Sequence, residues 1–114
     1  MGGLNQPQAH AQFVSNIVDF DMNLQDALDA ARFTKPTFDG CDVLLEARVP
    51  ETVRKDLQSK GHDVQLQDAY SQAMGRGNAV MVDSRGVKFG TSDPRADGQA
   101  IPEHPDYWNN RGAK

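Results

Sequence analysis

A four-residue apolar run, Ala79-Val80-Met81-Val82, constrains the fold of this chain more than any other segment. Both of its alternating faces are apolar, which is typical of a strand covered on both sides. Asp83-Ser84-Arg85-Gly86 follows the run and predicts a turn, with Gly86 suited to a positive φ. Val87 and Phe89 then return to the interior. The sequence therefore predicts a β-hairpin whose first strand is buried on both faces.

The first third of the chain predicts two helices. The first begins near Pro7, a residue that a first helical turn tolerates, and its apolar residues recur at helical spacing to about Phe20. Val14 widens this apolar stripe, so we expect the helix to be buried over much of its circumference. Asn23 is suited to cap the second helix, which we expect to end near Phe33.

The middle of the chain predicts strands on either side of a third helix. Val43-Leu44-Leu45 is a short apolar run with strand character, after a loop from Thr34 to Asp42. Pro50 opens the helix, and Gly61 is suited to end it as a left-handed C-cap. Another strand follows at Val64 to Leu66. Helices and strands in this order predict an α+β fold.

Composition limits the size of the core and the classes of partner. A chain of 114 residues forms one domain, and 38% hydrophobic residues with a mean hydropathy of -0.65 predict a modest core that lacks neighbours. The net charge of -4 argues against a nucleic-acid partner. Apolar runs are too short for a membrane span, and the first ten residues lack a signal-peptide pattern. No compartment is predicted.

The chain has few residues in patterns that are typical of metal binding or catalysis. His10, His62 and His104 lie far apart without a metal-ligand spacing, so we predict no metal and no cofactor. Cys41 is the only cysteine, which excludes an intrachain disulfide, and it has no activating residue near it in sequence. The carboxylates are scattered and nominate no acid and base pair.

Three glycine or charged segments remain as candidates. Gly75-Arg76-Gly77 precedes a strand instead of opening a helix, which favours a close backbone approach over a phosphate loop. Asp93 and Arg95 are expected to fix a turn through hydrogen bonds and an ion pair. Gly2 and Gly3 stand just before the first helix, where backbone N–H groups could face an oxyanion. The alternative for this pair is a sequence scar at the start of the chain.

Seven short motifs follow one another along the chain. They are Gly2-Gly3-Leu4-Asn5-Gln6-Pro7-Gln8, Asn16-Ile17-Val18-Asp19-Phe20-Asp21-Met22-Asn23, Ala30-Ala31-Arg32-Phe33, Val43-Leu44-Leu45-Glu46, Lys60-Gly61-His62, Gly77-Asn78-Ala79 and Gly90-Thr91-Ser92-Asp93-Pro94-Arg95. In this order and approximate spacing they resemble the C-terminal part of the gamma-glutamyltranspeptidase family. The resemblance covers roughly Gly2 to Glu103 and leaves residues 104–114 as an irregular tail.

The resemblance implies an N-terminal-nucleophile hydrolase. In this family a precursor cleaves itself into a large and a small subunit, and the new N-terminal threonine of the small subunit attacks a γ-glutamyl amide with its own amine as base. The acyl group then passes to water, an amino acid or a peptide. The family's Gly-Gly pair supplies the oxyanion hole and by register falls on Gly2 and Gly3. The implied fold is part of an αββα sandwich, with helices packed on antiparallel sheet.

The resemblance also implies that essential parts lie upstream of this chain. The threonine nucleophile, the donor-binding asparagine and aspartate and the paired serines precede the Gly-Gly pair, and the carboxylate-binding arginine belongs to the large subunit. Where relatives often read Ala-Pro, this sequence has Ala30-Ala31, which we expect to affect only a helix end. The chain is therefore expected to be an inactive C-terminal fragment whose partners are the large subunit and the rest of the small subunit.

Two further interpretations stay open. The chain could be a self-associating module without catalysis, since uncovered apolar surface favours a dimer or higher oligomer. It could also be a fragment of a related acylase that cleaves glutaryl or cephalosporin side chains.

Overall fold

A computed structural model describes residues 3–102 of the chain. The predicted tail at 104–114 and Gly2 lie outside the described residues. The helices are α1 (Gln6–Val18), α2 (Leu24–Asp29) and α3 (Glu51–Ser59), and the strands are β1 (Phe33–Thr34), β2 (Asp42–Glu46), β3 (Asp63–Gln67), β4 (Asn78–Val82) and β5 (Lys88–Ser92). Short 3-10 turns occupy Gly3–Asn5 and Gln72–Met74. The prediction of an α+β fold is confirmed.

The strands form two separate sheets. In the first, β2 lies between β1 and β3. Strands β1 and β2 are antiparallel, whereas β2 and β3 run parallel, in register from Asp42 opposite Asp63 to Glu46 opposite Gln67. Helix α3 supplies the crossover that a parallel pair requires. This sheet is therefore mixed, with one antiparallel and one parallel pair, where the resemblance implied antiparallel sheet. In the second sheet, β4 and β5 form the predicted antiparallel hairpin.

The structure contains the helix cap and the glycine turns that the sequence predicts. The Asn23 side chain accepts a hydrogen bond from the Asp26 backbone N–H at 2.9 Å and caps α2. Gly61 has a φ of +90° after α3, and Gly86 has a φ of +81° in the hairpin turn. Helix α2 ends at Asp29, earlier than predicted, because Phe33 belongs to strand β1.

Two glutamine side chains of α1 pair with the backbone of β1 and of Lys35, the residue directly after it. The Gln8 amide accepts from the Lys35 N–H at 2.8 Å and donates to the Lys35 carbonyl at 3.1 Å. One turn later, Gln12 makes the same pair of bonds with Phe33, at 3.0 and 2.9 Å. Residues four apart on the helix thus bond alternate residues of the segment 33–35. The two amides make the hydrogen bonds that the backbone of a neighbouring strand would otherwise make.

Helix α1 contacts the rest of the chain through these amides and through apolar residues that are only half-buried. In the part of the chain that the structure describes, no residue of α1 is buried. Val14 and Val18 are 54% and 69% exposed, and Phe20 just beyond the helix is 68% exposed. The prediction that this helix is buried over much of its circumference is wrong, because within residues 3–102 the face that carries Val14 and Val18 is left uncovered.

The hairpin likewise exposes side chains that were predicted to be buried. Val80 and Val82, on one face of β4, are 74% and 57% exposed, and on the other face Met81 is 40% exposed while Ala79 is half-buried. Val87 and Phe89 are also exposed. The predicted strand and turn are correct, but the predicted double coverage is wrong, because within residues 3–102 no other element buries a side chain of β4.

The buried core lies between α2, β2 and the turn before β4. Its buried apolar residues are Ala27, Leu28, Val43, Leu45 and Met74. Charged and polar residues are buried beside them, which marks this region as the best-packed part of the chain. No helix within residues 3–102 has the length and apolar character needed to cross a membrane.

Candidate functional site

The turn at Gly3 opens helix α1. Gly3 is exposed and has a φ of +44°, in the left-handed region that favours glycine. No other described atom lies within 4 Å of the position that a Cβ on Gly3 would take. The Asn5 side chain makes no capping hydrogen bond to the helix, and the first N–H groups of a helix have no partner within it. The turn can thus present backbone N–H groups to an anionic oxygen.

Asn5 joins this turn to two other segments. Its Oδ1 accepts a hydrogen bond from Thr34 Oγ1 in β1 at 2.5 Å, and its Nδ2 donates to the Ala73 carbonyl at 3.4 Å. Gly75 approaches the same side chain closely, since a Cβ built on Gly75 would lie 3.4 Å from Asn5 Nδ2. The Gly3 turn therefore rests on β1 and on the segment that leads into β4.

Arg32 and Asp93 hold that second segment. Arg32 Nη1 donates to the Gly75 carbonyl at 3.2 Å and forms an ion pair with Asp93 Oδ2 at 2.8 Å. The Gly77 N–H donates to the same Asp93 oxygen at 2.9 Å. A Cβ on Gly77 would lie 2.9 Å from Leu28 Cδ1, so the predicted close approach at Gly75-Arg76-Gly77 is present.

Arg95 lies at the centre of the buried charges and uses all five of its N–H groups. Its guanidinium pairs with both carboxylate oxygens of Glu46 at 2.6 Å. It also donates to Asp93 Oδ1 at 3.0 Å, to the Leu28 carbonyl at 3.0 Å and to the Ala30 carbonyl at 2.9 Å. Arg95 thus ties the end of α2 to β2 and to the turn after β5.

Glu46 is fully buried and accepts three further hydrogen bonds. They come from the Arg32 backbone N–H at 3.0 Å, the Ser71 backbone N–H at 3.0 Å and Arg48 Nη2 at 2.9 Å. The Arg48 guanidinium also lies over the Tyr70 ring, 3.9 Å from its centroid. We call the five charged residues the ion-pair network: Arg32, Glu46, Arg48, Asp93 and Arg95.

The network keeps its two carboxyl groups ionised. Burial alone would raise the pKa of Glu46, but hydrogen bonds from the Arg95 side chain and the Arg32 backbone hold that pKa below its ordinary value. Burial likewise acts to raise the pKa of Asp93, and the Arg95 backbone N–H and the Arg32 charge hold it low. Although burial opposes it, the two carboxylates raise the pKa of Arg95.

These pKa directions predict a loss of stability in acid. A carboxyl group with a lowered pKa in the folded state stabilises the fold fully above its unfolded pKa, about 4, and this contribution disappears as the pH falls through the lower folded value. Urea unfolding should therefore show the free energy of unfolding falling below about pH 4. The variant Glu46→Gln should fall less steeply over the same range. Parallel acid profiles for the variant and the parent chain would contradict this assignment.

A small cavity lies beside the Gly3 turn. It has a volume of about 140 Å³ between α1 and the Gly75–Ala79 segment, and Asn5, His10 and Arg32 line part of it. The cavity therefore borders both the turn and the edge of the ion-pair network.

The structure places the other sequence candidates apart from this site. Cys41 is an exposed free thiol in the loop before β2, and His62 lines a separate apolar groove beside α3. Within residues 3–102, no group of His, Cys, Asp or Glu residues is arranged to hold a metal ion.

One part of the ion-pair network was predicted from the sequence, and another part was not. The predicted turn fixed by Asp93 and Arg95 is present, with the Arg95 N–H donating to Asp93 Oδ1 at 3.0 Å. Glu46 and Arg32 were not predicted from the sequence as partners of that turn. The Ala30 carbonyl, just past the end of α2, is also bonded by the network. The available signal was Glu46 at the end of an apolar strand, since a charge there must be paired.

Solved structures of several enzymes share this fold. A cephalosporin acylase from Bacillus halodurans matches with a TM-score of 0.79 and 38% identity, over 91% of this chain and 19% of that one. A gamma-glutamyltranspeptidase from Pseudomonas nitroreducens matches with a TM-score of 0.71 and 23% identity, over 85% of this chain and 49% of that one. The chain has part of the N-terminal-nucleophile hydrolase fold, as predicted.

The sequence comparisons define the family. The Gamma-glutamyltranspeptidase family model matches residues 1–103. The chain is 30% identical over 105 residues to the glutathione hydrolase-like YwrD proenzyme of Bacillus subtilis and 31% identical over 103 residues to the oxamate amidohydrolase proenzyme of Klebsiella pneumoniae, covering 88% of this chain in each case. The chain belongs to the gamma-glutamyltranspeptidase family. It spans about 20% of the length of these two relatives.

Proposed function

We propose that this chain is the C-terminal fragment of a gamma-glutamyltranspeptidase-like enzyme and that Gly2 and Gly3 form its oxyanion hole. The observation that carries the proposal is the exposed left-handed turn at Gly3, which opens α1 in a chain of this family. The complete enzyme transfers or hydrolyses γ-glutamyl amides such as glutathione. Backbone N–H groups at the turn would stabilise the oxygen that becomes negative as the nucleophile attacks the amide carbonyl.

The same proposal makes the isolated chain inactive. An oxyanion hole lowers the barrier only for an acyl group under attack, and the threonine that attacks belongs to the segment upstream of Gly2. The partners of this chain in the complete enzyme are that upstream segment and the large subunit. The chain contributes a preformed turn, held by Asn5 and indirectly by the ion-pair network.

The test compares the purified chain with a complete enzyme, in which this chain is joined to the upstream large-subunit and small-subunit segments. We expect the complete enzyme to hydrolyse a γ-glutamyl anilide and the chain alone to give only background hydrolysis. Turnover by the chain alone that disappears when one of its residues is replaced would overturn the proposal of inactivity. The oxyanion role is tested by Gly3→Pro in the complete enzyme.

A glutaryl or cephalosporin acylase is the second candidate. The observation that favours it is the cephalosporin acylase structure, which matches with a higher TM-score and identity than the transpeptidase structure. A γ-glutamyl group carries an α-amino group, whereas a glutaryl group does not. Comparing hydrolysis of γ-glutamyl and glutaryl anilides by the complete enzyme separates them, because an acylase would prefer the glutaryl substrate.

A separate proposal concerns association of the isolated chain. The exposed apolar side chains of α1 and the hairpin, among them Val14, Val18 and Val80, leave a surface that the missing segments would cover. Alone, the chain is expected to self-associate through this surface, which would also be its role if it were a non-catalytic module.

Sedimentation tests this association. We expect the average mass of the chain to rise with concentration, and the variant Val14→Asp should shift the midpoint of association to a higher concentration because it places a charge on the exposed face of α1. Lys55→Asp, a charge change on α3 where the side chain is already 72% exposed, serves as the control. A chain that stays monomeric at all concentrations would contradict the proposal.

A further inference from the structure

We infer that Asn5 is a positioning residue for the Gly3 turn. Its amide sets where the turn sits relative to β1 and to the segment before β4. The inference rests on the proposed oxyanion role of Gly2 and Gly3, and it adds a residue that acts through the turn rather than by touching the substrate.

The first observation is the use of both ends of the Asn5 amide. The oxygen accepts from Thr34, whose side chain is buried, and the nitrogen donates to the Ala73 carbonyl. An amide is the smallest side chain that offers an acceptor and a donor in a fixed plane. The two contacts come from opposite segments, so Asn5 fixes the turn against both of them at once.

The second observation is that both anchors are themselves fixed. Thr34 belongs to β1 and pairs with Leu44 of β2. Ala73 precedes Gly75, whose carbonyl accepts from Arg32 of the ion-pair network. A short chain of contacts therefore connects the buried charges to the backbone of the turn.

The third observation is the lack of other restraints on the turn. Leu4 is 76% exposed, Gly3 is exposed, and no other described atom lies within 4 Å of a Cβ built on Gly3. Since the turn's own residues contribute little packing, the next residue that does contact the rest of the chain is Asn5. Small misplacement of a catalytic group costs a large factor in turnover, about 100-fold for 1 Å.

The experiment uses the complete enzyme and measures kcat and KM for a γ-glutamyl anilide. We expect Asn5→Ala to lower kcat by between about 10-fold and 100-fold while KM changes much less, because oxyanion stabilisation acts in the transition state. Thr34→Val removes the hydroxyl that bonds Asn5 without changing side-chain size, and it should lower kcat similarly. Thr34→Ser keeps the hydroxyl and should retain most of kcat.

Asn16→Ala is the matched control. Asn16 lies on the same helix and donates through its amide to the Ala27 carbonyl at 3.2 Å, three turns from Gly3. A merely structural role for Asn5 predicts that both alanine variants lower the melting temperature and leave kcat unchanged. A positioning role predicts a similar loss of melting temperature but a fall in kcat only for Asn5→Ala.

The double variant Asn5→Ala with Thr34→Val gives a further readout. Both substitutions break the same hydrogen bond, the one between Asn5 and Thr34. The fall in kcat of the double variant should therefore be smaller than the product of the two single-variant factors. Equal kcat values for Asn5→Ala and Asn16→Ala, or an undiminished kcat in Thr34→Val, would overturn the inference. If Gly3→Pro lowers turnover by about 100-fold or more and Asn5→Ala leaves kcat unchanged, the positioning role fails and the oxyanion proposal stands. If Gly3→Pro leaves turnover intact, the oxyanion proposal itself fails.

Discussion

Replacing Glu46 by glutamine is expected to lower the free energy of unfolding of this chain by ~3–5 kcal/mol. The substitution preserves the shape of the side chain and replaces one carboxylate oxygen by an amide nitrogen. Every group that surrounds the carboxylate is a donor, from Arg95, Arg48, Arg32 and Ser71. The amide nitrogen would face donors with no acceptor, and the buried arginines would lose a counter-charge.

Urea unfolding followed by circular dichroism measures this loss. Since single domains of this size are stable by only ~5–15 kcal/mol, the variant should unfold at a much lower urea concentration. Glu51→Gln is the matched control, because Glu51 pairs with Lys55 on the surface of α3 and is 66% exposed. That control should lose less than about 1 kcal/mol. Equal losses in the two variants would show that the buried network contributes no more than a surface ion pair.

Gly3→Pro in the complete enzyme is expected to reduce turnover by about 100-fold to 1,000-fold, or ~3–4 kcal/mol. Proline removes the backbone N–H of residue 3. It also fixes φ near −65°, whereas Gly3 has a φ of +44°, so the turn cannot keep its conformation. The loss should appear in kcat, with donor binding weakened much less, because the interaction is made in the transition state.

Two substitutions at the same position separate the N–H from the backbone conformation. Gly3→Asn keeps the N–H, and asparagine tolerates a left-handed φ, so it should retain most of the turnover. Gly3→Ala keeps the N–H, but a left-handed φ is unfavourable for alanine, so we expect a loss of turnover between those of the other two variants. All three variants should still cleave themselves into subunits. Full turnover in Gly3→Pro would show that the Gly3 turn only begins the helix and has no part in oxyanion stabilisation.

Local signals in the sequence were enough to predict most elements of the fold. The Asn23 cap, Gly61 and Gly86 act within a few residues of themselves, and each is where it was predicted. Strand β1 was missed because it has only two residues, and its pairing with β2 depends on contacts across a loop. Exposure was mispredicted for α1 and for the hairpin because apolar spacing indicates a face that will be buried, not which part of the protein buries it.

The ion-pair network illustrates why the site could be predicted only in part. Asp83-Ser84-Arg85 and Asp93-Pro94-Arg95 share the same spacing, and in each the arginine N–H donates to the aspartate. The first pair lies on the surface, with 79% of the Arg85 side chain exposed, whereas the Arg95 side chain is fully buried. The difference comes from Glu46, which is 49 residues from Arg95 in sequence, so no local pattern distinguishes the two turns.

The pairing of Gln8 and Gln12 with β1 has a consequence for how this part of the protein can change. Both amides bond main-chain atoms of Phe33 and Lys35, and those atoms are the same for every residue except proline. Phe33 and Lys35 can therefore change their side chains, except to proline, while the helix remains docked in the same register. These bonds constrain substitutions on the helix, where the two glutamines must stay, and not at Phe33 and Lys35, whereas Thr34 between them is held by its own hydrogen bond to Asn5.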